Sequence, residues 1–163
     1  MQYGSAADCI KNTRYATSNR RTRCGCPVPH VLLIDDDKDC LTALANRLRF
    51  AFRGQNLDVD VADSAATGLI LSHAAHYDAI IVDLLMPGVS GVKFVEQLGH
   101  TQQDVPVIMI SGSDVTCSEE QTARLGVIAC LPKPVDFSKL RRLLSEVLEG
   151  EQAGTSGRPN EHT

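Results

Sequence analysis

At 163 residues, with 43% hydrophobic and 22% charged residues, the chain suits one soluble globular domain with room for a core, flanked by tails. No apolar run approaches membrane-spanning length and the polar first thirty residues lack the apolar segment of a secretory leader, so neither membrane insertion nor export is expected, and the expected location is cytoplasmic. The net charge of −4 is uneven: residues 1–28 hold Lys11, Arg14, Arg20, Arg21 and Arg23 against Asp8, a balance of +4, which leaves −8 on the remainder.

Five cations without interleaved aromatic residues are a weak signal for nucleic acid, and residues 1–28 read as a solvated, disordered tail. The six cysteines (Cys9, Cys24, Cys26, Cys40, Cys117 and Cys130) are expected as reduced thiols rather than a disulfide scaffold, since nothing marks the chain for export. Cys24-Gly25-Cys26 with His30 could be half of a metal site, but the C-x-x-C spacing and the second half are both missing.

Val31-Leu32-Leu33-Ile34 is a fully apolar run, which reads as a strand buried on both faces, and Asp35-Asp36-Asp37 stops it. Leu41, Leu44, Ala45, Leu48 and Phe52 then recur at helical spacing, with Asp37 and Asp39 where the helix dipole favours anions. Residues 57–61 alternate strictly as Leu-Asp-Val-Asp-Val, the mark of a strand with one wet face or at a sheet edge. Asp63-Ser64 offers a cap for a helix to about Ala75, with Ala66, Leu69 and Ile70 expected inward.

Ala79 to Val82 form a second buried run, ended by Asp83, and Pro87-Gly88 and Ser90-Gly91 mark the loop after it. A helix follows from about Ser90 to Leu98, with Val92, Val95 and Leu98 inward and Gly99 as its stop. Val107 to Ile110 end in Ser111-Gly112-Ser113, and a short polar helix is expected over 116–125, closed by Gly126. Val127 to Leu131 end at Pro132-Lys133-Pro134, and the last helix starts at Asp136, with Phe137, Leu140, Leu144 and Leu148 on one stripe before Gly150. Five strands alternating with five helices argue for an α/β fold, a parallel sheet covered on both faces.

In such a sheet the carboxyl ends of all strands lie on one edge, where ligands bind. Asp35, Asp36, Asp83, Ser111 and Lys133 would therefore converge. Carboxylates packed within a few ångströms repel by several kcal/mol at an effective dielectric of about 20, and a hard divalent cation such as Mg²⁺ relieves that. Lys133 adds a mobile positive charge, Ser111 a hydroxyl donor, and Asp83 is placed to act as a nucleophile.

An acidic pair after the first strand (Asp35, Asp36), an Asp after the third followed by Met86-Pro87-Gly88, a Ser after the fourth (Ser111) and Lys133-Pro134 after the fifth occur in that order. With these marks residues 30–149 resemble the receiver domain of two-component response regulators, of the stand-alone, chemotaxis-regulator-like kind. The resemblance implies a flavodoxin-like, doubly wound sheet of strand order 2-1-3-4-5, as in the chemotaxis member of that family. It divides the chain into an N-terminal tail (1–28), a receiver domain (29–150) and a C-terminal tail (151–163).

The resemblance further implies a signalling module rather than a metabolic enzyme, one that catalyses only its own phosphorylation and dephosphorylation. A sensor histidine kinase or histidine phosphotransfer protein would donate the phosphoryl group to Asp83. Mg²⁺ would be held by Asp36, Asp83 and the backbone carbonyl of Leu85, with Asp35 reaching it directly or through water. Ser111 and Lys133 would contact the phosphoryl group, and the Lys133–Pro134 bond would be cis. Output would run through contact with a target protein, with no direct DNA binding, no membrane, and self-association into a homodimer left open.

Two positions depart from the family pattern. Cys130 stands where an aromatic residue usually reports phosphorylation, and Leu85 places an apolar side chain over the site. An aspartyl-phosphate phosphatase or phosphomutase is the alternative, because Asp35-Asp36-Asp37 contains its Asp-x-Asp nucleophile pattern; the chain is short for the substrate cap such enzymes carry. A nucleotide-binding half-domain lacks its glycine-rich phosphate loop.

Overall fold

The computed structural model of the protein describes residues 28–99, 105–112 and 118–150. The tails expected at 1–28 and 151–163 lie, but for residue 28, outside the described residues. Strands β1 (His30–Ile34), β2 (Asp58–Ala62), β3 (Ala79–Asp83), β4 (Val107–Ser111) and β5 (Ala129–Pro132) form one parallel sheet in the order β2-β1-β3-β4-β5. Helices α1 (Lys38–Ala51), α2 (Ala65–Ala74), α3 (Gly91–Gly99), α4 (Glu119–Leu125) and α5 (Phe137–Glu149) alternate with the strands, and a 3-10 turn, Arg53–Gln55, leads into β2. This is the doubly wound fold expected from the strand and helix pattern.

The three central strands have no wet face, which is why their sequences do not alternate. Val31, Leu33, Ile81 and Ile108 pack against Leu41, Ala45 and Leu48 of α1 and Leu140 and Leu144 of α5. Leu32, Ile34, Ile80, Val82 and Met109 pack on the opposite face, against Phe94, Val95 and Leu98 of α3. Each fully buried aliphatic side chain contributes roughly 1.5–3 kcal/mol relative to exposure. The alternating strand β2 lies at the sheet edge, with Val59 buried and Asp58 and Asp60 half-buried.

The helix starts follow local chemistry. Asp37 caps α1, its Oδ1 accepting from the backbone N–H groups of Asp39 and Cys40, both at 3.0 Å. Ser64 caps α2, Asp136 caps α5, and Ser118 with Gln121 forms a reciprocal capping box on α4. The bond from the Cys40 N–H, first among several, holds the Asp37 carboxyl below the usual carboxylate range. A lowered folded value means the stabilisation is present above the unfolded carboxylate range and is lost as pH falls through the folded value. Asp37→Ala is therefore expected to lower the denaturant midpoint at pH 7, with the difference from the parent shrinking as pH falls below about 4.

Four sequence expectations shift. Helix α2 does not bury Ala66 and Ile70: both are exposed, Ile70 by 67%, and the inner face is Ala65, Gly68 and Ser72. The reason is close approach, since a Cβ on Gly68 would lie 2.5 Å from Ile34 Cδ1 and 3.2 Å from the Phe94 ring. In α3 the dominant core residue is Phe94, fully buried, whereas Val92 is only half-buried. Strand β5 begins at Ala129 rather than Val127, and α4 begins at Glu119, with residues 113–117 outside the described ones.

Candidate functional site

The carboxyl edge of the sheet collects one side chain from each of four strand ends. Asp35 follows β1, Asp83 ends β3, Ser111 ends β4, and Lys133 follows β5. Asp35, Asp83 and Ser111 are buried, and the Lys133 side chain is 31% exposed. Lys133 Nζ donates to Asp35 Oδ2 at 2.9 Å and to Asp83 Oδ2 at 2.8 Å, bridging residues 98 and 50 positions away. The second oxygen of each acid meets a backbone N–H: Asp37 N donates to Asp35 Oδ1 at 2.9 Å, and Leu85 N to Asp83 Oδ1 at 3.2 Å.

Burial alone would pull the Lys133 ammonium down, but its bonds to Asp83 and Asp35 and their negative charge outweigh that, so its pKa is raised. The backbone ties the same elements together. Lys133 N donates to Ser111 O at 2.6 Å, and Leu84 N donates to Ile110 O at 2.7 Å. The Lys133–Pro134 peptide is cis, as the resemblance implied.

Asp36 sits exposed at the rim, and ligand oxygens of Asp35, Asp36 and Asp83 lie within 4.8 Å of one another. Three carboxylates against one ammonium leave an excess of negative charge on oxygen donors, a set that fits a hard cation such as Mg²⁺. Leu85, which follows Asp83 by two residues, is 53% exposed.

Gly91 has a role its sequence position hid, since Ser90-Gly91 reads as a loop marker. It is the first residue of α3, its N–H donates to Leu84 O at 3.0 Å, and a Cβ there would lie 2.3 Å from Asp83 O. Gly91→Ala must push α3 away from the strand end that carries Asp83. It is expected to cost about 1–3 kcal/mol in chemical denaturation, with weaker Mg²⁺ binding.

Cys130 departs from expectation. It is half-buried on β5 opposite Met109, and its sulfur is disulfide-bonded. The reduced-thiol expectation therefore fails at this position, whereas Cys40 is a free, exposed thiol. The imagined Cys24–Cys26–His30 grouping falls outside the described residues except for His30, which is buried in β1 and faces Asp60.

The model of the response regulator receiver domain matches residues 31–145. The chain is 30% identical to the transcriptional regulatory protein GlrR of Escherichia coli over 129 residues, covering 79% of this chain and 28% of that protein. It is 35% identical to the two-component response regulator ORR24 of Oryza sativa over 137 residues, covering 80% of this chain and 20% of that protein. The chain thus spans less than a third of the length of these relatives. Among solved structures, the receiver domain of the Francisella response regulator 1452 superposes with a TM-score of 0.63 at 27% identity, covering 74% of this chain and 97% of that one. A response regulator receiver protein from Pseudomonas putida gives a TM-score of 0.63 at 30% identity, covering 72% and 95%. The order of strand-end residues, the fold and the match over most of the described chain agree, and the chain belongs to the response regulator receiver domain family.

Proposed function

We propose that Asp83 accepts a phosphoryl group from a sensor histidine kinase or a histidine phosphotransfer protein. A carboxylate oxygen of Asp83 attacks phosphorus, the O–P bond forms as the donor's N–P bond breaks, and the departing imidazole takes up a proton. Mg²⁺, held by Asp36, Asp83 and the Leu85 carbonyl with Asp35 in direct or water-bridged contact, would offset charge on the transferring phosphoryl oxygens. Lys133 keeps its bond to Asp35 and exchanges Asp83 for a phosphoryl oxygen, and the Ser111 hydroxyl donates to another. The product signals by protein–protein contact with a target; direct DNA contact is not part of this reading.

The observation that carries it is the paired bonding of Lys133 to Asp35 and Asp83 at the end of β3. A buried carboxylate beside a cation that could move to a phosphoryl oxygen supports Asp83 as the nucleophile. Incubation with acetyl phosphate and Mg²⁺ should add one phosphoryl mass, labile in base, on the peptide containing Asp83. A label on Asp35 instead would favour the phosphatase-like alternative, and no label at all would remove the reading.

A further inference from the structure

The opposite, amino-terminal edge of the sheet carries a second polar cluster that the phosphoacceptor site does not use. The β1–β2 register sets His30 opposite Asp58, and the two-residue period of a strand puts Asp60 on the same face. One ligand atom each from His30, Asp58 and Asp60 lies within 4.8 Å of the others. His30 is almost fully buried, while Asp58 and Asp60 are half-buried, leaving a route from solvent.

The surroundings of the imidazole decide what this cluster can hold. His30 Nδ1 lies 3.1 Å from His76 O, and since a carbonyl only accepts, Nδ1 is the protonated nitrogen. In the neutral ring Nε2 then presents its lone pair to Asp60 Oδ2 at 2.9 Å. That same oxygen already accepts from the Tyr77 hydroxyl at 2.8 Å, and the Tyr77 ring lies 4.3 Å from the imidazole. Two acceptors facing each other at this distance need a positive species between them, either a second ring proton or a metal ion. A ring N–H given to a backbone carbonyl is also how metal-ligating histidines are held.

We propose that His30, Asp58 and Asp60 form a second cation site, for a transition ion that accepts imidazole nitrogen, with Zn²⁺ as the best match. One imidazole and two carboxylates suit Zn²⁺ and its neighbours, whereas Mg²⁺ prefers oxygen alone. Zinc bonds of about 2.0–2.1 Å in a tetrahedron separate ligand atoms by about 3.3 Å, so the Nε2–Oδ2 pair need open only slightly. The ion would clip the edge strand β2 to β1, on the far side of the sheet from Asp83.

The test is titration of the full-length chain with Co²⁺ and with Zn²⁺ under saturating Mg²⁺, in a Cys24→Ser/Cys26→Ser background that removes those two sulfurs as ligands. One equivalent should bind, with Co²⁺ giving visible d–d bands and no thiolate charge-transfer band. Zn²⁺ should move the His30 Nε2 resonance and leave Nδ1 protonated. Asp60→Asn should weaken binding at least about tenfold, whereas Asp83→Asn should leave it unchanged. Absence of a bound equivalent, a thiolate band, or affinity unaltered by Asp60→Asn would each overturn the proposal. The His30 resonance in the unsubstituted cluster keeps the result readable should Asp60→Asn fold poorly.

Discussion

Asp83→Asn is expected to abolish phosphoryl acceptance while leaving the protein as stable as the parent, or slightly more so. The amide is no nucleophile, so loss of labelling should be complete. The stability expectation follows from charge. Asp35 and Asp83, both buried, share Lys133 as counter-ion, and a carboxylate oxygen of Asp36 lies within 4.8 Å of theirs. Carboxylates about 4 Å apart repel by about 4 kcal/mol at an effective dielectric of 20, before screening. The amide oxygen can still accept from Leu85 N, and Lys133 keeps Asp35. Mg²⁺ affinity should fall together with acceptance. Mass spectrometry after acetyl phosphate treatment and denaturant melts with and without Mg²⁺ separate the two effects. A large loss of metal-free stability would mean that the Asp83 charge is held by more than Lys133.

Lys133→Ala is expected to act in the opposite sense, destabilising the metal-free protein by about 2–4 kcal/mol. It strips the cation from two buried carboxylates that share it at 2.8 and 2.9 Å, and the remaining repulsion is unrelieved. Partial exposure of the lysine admits water and places the cost toward the lower end of that range. Mg²⁺ should recover much of the loss, because it neutralises the same oxygens. The lysine value is raised in the fold, so its stabilisation is complete below the unfolded value of about 10.4 and lost only as pH rises through the folded one. The difference from the parent should therefore be flat between about pH 6 and 9. Urea melts across that range, with and without Mg²⁺, test both statements, and a loss that Mg²⁺ does not recover would point to packing of the lysine stem instead.

Strand positions, helix starts and the sheet edge bearing the site were legible in the sequence because their causes are local. Four consecutive apolar residues at 31–34, 79–82 and 107–110 suit a strand covered on both faces, and alternation at 57–61 suits a strand with one wet face or at an edge. Asp37, Ser64 and Asp136 cap helices through bonds within three residues. The placement of Asp83 and Lys133 at one sheet edge was readable because a polar residue closes an apolar run at each strand end.

Tertiary structure decided what depends on distances between elements. Helical periodicity suggested Ala66 and Ile70 as the inner face of α2, yet Ile34 and Phe94 come so close that only Gly68 fits there. Gly91 read only as part of a loop marker at the start of a helix, and its close approach to the Asp83 carbonyl appears only in the folded chain. His30 reads in sequence only as a candidate partner of Cys24 and Cys26, and the structure places it in β1 facing Asp60 instead. Its partners Asp60, Tyr77 and the His76 carbonyl come from two other segments, and only the β1–β2 register and the turn before β3 bring them to one ring. Apolar patterning specifies which residues leave water, because that free energy scales with area and has no direction. Which polar atoms meet depends on ångström-scale packing between segments far apart in sequence, and that is set only when the helices close on the sheet.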